Sequence, residues 1–170
     1  MRLPYALGVL ALASIGADAA AATESLALFS SELDAQWDFR DVAVSEQRFS
    51  AALSRWPSDE PQALIVETQI ARAQGLQRRF SDAHATLDAV VARLDGVSSH
   101  VRVRYLLERG RVFNSAGERS RAIPLFAEAL GLADCADDEF YAVDAAHMLA
   151  IAAPAPEQIQ HAAALLSGAS

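Results

Sequence analysis

Apolar positions recur every three to four residues along most of this chain, which is the period of one buried face of an α-helix. Ala83, Leu87, Val90 and Val91 set the pattern, and Ala122, Phe126, Ala129 and Leu130 repeat it at the same spacing. The spacing predicts helices over 23–37, 41–56, 60–77, 81–94, 99–116, 119–133, 138–152 and 156–167. Boundary chemistry agrees. Asp59 can cap the helix entered through Glu60-Pro61-Gln62, since proline is tolerated in a first turn. Ser81 can cap the next, with Asp82 favourable beside it. Pro154 and Pro156 close one helix and bracket another. Two stretches pull the other way. Pro124 is comfortable only if its helix begins near Ser120, and His100 to Tyr105 alternates like a strand. The helical register through Leu106, Gly110 and Phe113 overrides the second.

The pattern also repeats at long range. Ser45, Ala83, Ala122 and Ala162 are equivalent positions, 38, 39 and 40 residues apart. A small residue precedes the last three by 12 positions: Ala71, Gly110 and Ala150. Two antiparallel helices approach closely only where one offers almost no side chain, and the alanine of the second helix would meet that gap. Phe113 would fill the volume one turn on, and Gly117 would turn the chain through positive φ at little cost.

On Gly110, Phe113, Gly117, Ala122, Phe126, Ala129 and Leu130 the chain resembles the tetratricopeptide-repeat family, whose period is about 34 residues. The copy before it departs from the pattern, with Ala71 for the glycine, Gln74 for the aromatic residue and Arg78 for the turn glycine. The resemblance covers 23–170 and implies an all-α solenoid, a right-handed superhelix of three to four helix pairs. The repeats would run approximately 23–57, 59–95, 99–134 and 138–170. It further implies a non-enzymatic scaffold that holds a partner protein or peptide in a concave groove. By the same resemblance Arg72, Arg104, Leu107, Arg111, Asn114 and His147 line that groove.

Arg104 and Arg111 are seven apart and so share a helix face. Two readings of these arginines stand: they receive an acidic or C-terminal peptide, or they pair with Glu67, Glu108 and Asp144 as a solvated face. Under the first, reversing the charge of Arg111 weakens partner binding. The chain has no lysine, which departs from the carboxylate clamp of chaperone-binding members, so a chaperone-tail receptor is not expected.

Composition narrows the function further. The net charge is −8 with no basic stripe, which excludes nucleic acid as a partner, because phosphate neutralisation supplies most of that affinity. The lone Cys135 cannot form an intrachain disulfide, and its acidic neighbours disfavour a thiolate. Trp37 and Trp56 flank the first repeat as packing residues. Residues 1–22 have a signal-peptide layout: Arg2, an apolar run from Leu3 to Ile15, then Ala17-Asp18-Ala19 and Ala20-Ala21-Ala22. Cleavage after Ala19 or Ala22 would deliver the chain to the periplasm or outside the cell. The alternative is a cytoplasmic regulatory module whose first residues pack as a helix or touch membrane. The apolar run of 13 residues is shorter than the roughly 18–20 needed to span a bilayer. The histidines are scattered, and Asp144 with His147 makes only half a metal site. No catalytic constellation, cofactor motif or metal cluster is legible, so no enzymatic activity is expected. The apolar last helix, 157–166, suggests self-association there.

Overall fold

The computed structural model describes residues 7–136 and 138–153, with side chains from residue 21 onward. The helix expected over 156–167, the anchor Ala162 and the self-association placed there lie outside the described residues. Seven helices and no strand make up what is described: α1 (Leu7–Asp34), α2 (Val42–Leu53), α3 (Pro61–Leu76), α4 (Phe80–Val91), α5 (Ser99–Ser115), α6 (Arg119–Cys135) and α7 (Glu139–Ala152). The alternating stretch His100–Tyr105 is helical, as the register required.

From α2 onward each helix packs on the next, and α3 also packs on α5, which in turn packs on α7. The core runs as one cluster through these contacts, from Leu26 and Phe49 to Phe126 and Tyr141. Small residues decide how near the helices come. A Cβ added to Gly110 would sit 2.4 Å from Cε1 of the fully buried Phe126. The gap is therefore filled by the Phe126 ring, four residues beyond the Ala122 expected to meet it. Ala71, Ala83, Ala122 and Ala129 are all fully buried, and Phe113 is nearly so. Ala150 is half-buried. On the opposite face Gly75 plays a part the periodicity did not mark: its Cβ would stand 3.1 Å from Val112 Cγ2, at the α3–α5 contact.

The two central turns are the same motif made by different residues. After α5, Gly117 takes φ +86°, with Gly117 N–H donating to Asn114 and Glu118 N–H to Phe113. After α3, Arg78 takes φ +61°, with Arg78 N–H donating to Gly75 and Arg79 N–H to Gln74. Both are Schellman closures, which satisfy the last carbonyls of a helix. Arg78 occupies the turn-glycine position and carries the steric cost of a left-handed conformation, roughly 1–2 kcal/mol.

Helix starts differ in detail from expectation. Glu60 rather than Asp59 stands at the N-cap of α3, with Pro61 next. Helix α4 begins at Phe80, one residue before Ser81. Asp41 and Asp138 make side-chain caps, accepting from the amides of Val44 and Tyr141. Pro124 lies inside α6, which begins at Arg119, so the carbonyl left without an amide partner belongs to the exposed first turn.

The largest departure is α1. The backbone is one helix from Leu7 to Asp34, so both candidate cleavage points fall within it. Its described end packs on α3 and α5, rather than closing a tight hairpin with α2. Helix α1 and the turn after it touch the region of α2 through side chains, with Phe29 edge-on to Trp56 and Trp37 edge-on to Phe49. The packing role expected of both tryptophans is what these contacts show. The physical cause of the crossing is polar: Ser30 and Asp34 find their partners on α5, described next.

Candidate functional site

One stripe of α5, spaced by three and four residues, carries His100, Arg104, Glu108 and Arg111. On α7 the facing stripe is Asp138, Tyr141 and Asp144, spaced by three. These two stripes form a single face with two halves: the first is covered by α1 and the second is open.

In the covered half, Arg104 is only 3% exposed and forks onto Asp34 of α1, Nη1 to Oδ2 at 2.9 Å and Nη2 to Oδ1 at 2.7 Å. Nη1 also donates to the Tyr141 hydroxyl. Burial alone would lower the pKa of Arg104, but the bonds to Asp34 outweigh it and hold the guanidinium charged. Ser30, from α1, is hydrogen-bonded to His100 Nε2 at 2.8 Å, and His100 Nδ1 stands 3.1 Å from Asp138 Oδ2. A carboxylate only accepts, so Nδ1 carries the proton and Nε2 accepts from the serine hydroxyl. Leu26 and Leu33 of α1 and Leu107 of α5 are buried in the shared core cluster. A recess of about 300 Å³ lies at its edge, lined by Ser30, Asp34, His100, Asp138, Phe140 and Tyr141 among others.

The order Ser30–His100–Asp138 has the distances of a hydrolytic relay. Its serine, however, is 2% exposed and lies in a helical turn whose amides are spent on helix carbonyls, so no backbone oxyanion donor faces it. The arrangement ties three helices together. Desolvation lowers the pKa of His100, against an opposing pull from Asp138. Unfolding returns the ring to its ordinary value, so the unfolded chain binds more protons below about pH 6.5. This contribution is complete above pH 6.5 and is lost as pH falls towards the lower folded-state pKa. His84, also lowered by burial and then by Arg109, adds a term of the same sign. The thermal midpoint should therefore drop on acidification from pH 7.5 to 5.5, and His100→Gln should make that slope shallower. An unchanged slope in the variant would count against the clasp.

In the open half Arg111 donates to Glu108 at 2.7 Å and to both oxygens of Asp144 at 2.5 Å, and Arg72 of α3 reaches Glu108 at 3.3 Å. Arg93 pairs with Glu67 elsewhere. Arg72 also lies over the rings of Trp37 and Phe39, which are stacked 5.1 Å apart. Around these paired charges the surface is apolar: Phe140 is 69% exposed and Val143 70%. An open cleft of about 690 Å³ is lined by Arg72, Arg111, Glu139, Phe140, Val143, Asp144 and His147. A recess of about 150 Å³ beneath Arg72 and Arg111 adds Gly75, Leu76, Val112 and Met148.

Of the residues expected along a groove, the structure brings Arg72, Arg111 and His147 to one cleft. Arg104 and Leu107 share the right face but are buried, Arg104 against Asp34 of α1. Asn114 is half-buried, off the cleft, with its Oδ1 lacking a protein partner. The apolar members, Phe140 and Val143, were not marked by sequence; their signal was two large apolar residues flanking the buried Tyr141, one position before it and two after it. Among the described residues no three metal-ligating side chains cluster, and no helix is long and apolar enough to cross a membrane. Cys135 is exposed at the last residue of α6.

Compared with known proteins, the chain matches no family model, no curated protein and no solved structure.

Proposed function

We propose that this is a tetratricopeptide-like scaffold that holds a segment of a partner protein against the open face of α3, α5 and α7. The observation that carries the reading is the pair of large apolar side chains, Phe140 and Val143, standing in water at the rim of a cleft. Exposed apolar side chains gathered beside a polar rim mark interaction surfaces. The repeat reading is supported by the two equivalent turns at Arg78 and Gly117, and by the α3–α4, α5–α6 pairs that pack in succession. The arginines contribute less by capturing an anion than by fixing the cleft's shape, because Glu108 and Asp144 already neutralise them. The partner's apolar side chains would then supply most of the affinity. Residues 1–22 are read as an export signal, which places the scaffold in the periplasm or outside the cell. A mass for the mature chain beginning at Ala20 or Thr23 would support this, and a full-length mass would favour the cytoplasmic module.

The binding reading is tested by site-specific photo-crosslinking. A crosslinker at Val143 should capture a discrete partner in extracts of the source cell, while one at the exposed Val91, on the α4 surface, should not. Phe140→Ser with Val143→Ser should weaken that capture by about tenfold or more, the range of one interface anchor. Both side chains are exposed, so the unfolding free energy should stay within about 0.5 kcal/mol of its unaltered value. Equal capture from both positions, or capture indifferent to the double substitution, would refute the groove.

A further inference from the structure

The face used for binding does not end where the open cleft ends. It continues along α5 and α7 under α1, where Arg104, itself bonded to Tyr141, and His100 hold a helix that reaches them from the far end of the chain's fold order. We propose that this covered half is itself a docking site for an acidic amphipathic helix, and that residues 26–39 are its resident, displaceable occupant. The inference rests on the binding reading above and states the partner's chemistry.

Several observations carry it. The contacts are those of a bound ligand helix rather than of a repeat member: α1 packs on α3 and α5 and lacks the tight pairing that α3 has with α4 and α5 with α6. Its footing is narrow. Leu26, Ser30 and Leu33 are the buried residues in its described part, on one stripe, while Leu28 is 63% exposed. The specific contact is charge complementarity: a planar guanidinium at the bottom of the face meets an aspartate that remains 36% exposed. The following loop continues the seat, with Trp37 Nε1 donating to Gln69 at 3.0 Å and Trp37 and Phe39 lying under Arg72. The occupant class follows from these contacts. It is a helix presenting leucine, a hydroxyl residue four later, leucine three further on and then an aspartate. Such a helix would meet the same fork and the same apolar seats. It would also continue onto Phe140, which lines both the covered recess and the open cleft. Asp34, His100, Arg104, Asp138 and Tyr141 are the titratable groups facing the seat.

The probe is a fluorescent peptide with the sequence of residues 23–40, added to the full chain and followed by anisotropy. Asp34→Ala loosens the resident helix while leaving Arg104 in place, so this variant should bind the peptide at least tenfold more tightly than the unaltered chain. Adding Arg104→Met to Asp34→Ala should abolish that gain. Should Asp34→Ala fail to fold, hydrogen exchange on the unaltered chain decides: amides of 26–34 must exchange faster than those of α3 and α5. Equal peptide affinity for the folded variant and the unaltered chain, or exchange in 26–34 as slow as in α5, would make α1 a permanent part of the core and overturn the proposal. The Val143 crosslink is read independently. If it persists while the peptide result fails, the open cleft stands and only the displaceable helix falls; loss of both overturns both readings.

Discussion

Gly110→Ala is expected to destabilise the protein by about 2 kcal/mol and to lower its thermal midpoint by about 6 °C. In an exposed helix the same substitution would stabilise by up to about 1 kcal/mol, because alanine restricts the unfolded backbone. Here the new methyl group would lie 2.4 Å from Cε1 and 2.8 Å from Cδ1 and Cζ of Phe126. Three such overlaps cannot be absorbed by a rotamer change, since the Phe126 ring is fully buried and closely surrounded. Nor can α5 retreat, because its other side meets α3 at Gly75 and Val112. The remaining course is for α6 to move away, which opens space around Ala122 and Ala129. Gly131→Ala provides the internal control: a Cβ there meets nothing within 4 Å, so it should raise stability slightly. A smaller, ringless partner, Phe126→Leu, should cost less in the Gly110→Ala background than alone, and the double-mutant cycle reads the coupling. If Gly110→Ala and Gly131→Ala shifted the midpoint alike, the close approach would be refuted.

This glycine also shows what a sequence can reveal and where it stops. The 12-residue offset from Gly110 to Ala122 was visible because both are small residues at fixed positions, and the same logic found the turn at Gly117. It found Arg78 too, as the residue standing at a glycine's place, although nothing about arginine itself signals a left-handed turn. Periodicity tells which side chains share a face. It placed Arg104 and Arg111 on one stripe of α5, and they are. It cannot tell what lies across from that face. Arg104 and Leu107 were expected to line an open groove, yet both are buried, and Arg104 is held by α1 in a long-range encounter between positions 70 residues apart in the chain. The same blindness hid Ser30 and His100, each unremarkable in its own helix. The expected helix pair over 23–57 differs for the same reason, since the polar partners of Ser30 and Asp34 lie on α5 rather than on α2.

That encounter gives the second large effect. Asp34→Ala is expected to cost about 3 kcal/mol, whereas Arg104→Met should cost about 1 kcal/mol, although each deletes the same ion pair. The asymmetry comes from burial. Arg104 is 3% exposed, so without Asp34 its charge is left in the protein with the Tyr141 hydroxyl and the nearby Glu108 as compensation. Asp34 is 36% exposed, so without Arg104 it recovers water with little rearrangement, and methionine keeps most of the packing of the buried Arg104 stem. A ceiling also applies. The chain can relieve a stranded guanidinium by letting α1 lift away, so the cost of Asp34→Ala cannot exceed what docking of α1 contributes. Its form should therefore be local: hydrogen exchange should accelerate over residues 26–39, while α5 and α6 keep the protection of the intact chain. Because Trp37 sits in the released segment, its near-ultraviolet dichroism should fall in step. Equal costs for the two substitutions would mean that the fork contributes only as a surface pair. Uniform acceleration of exchange across all helices would mean that α1 is inseparable from the cooperative core.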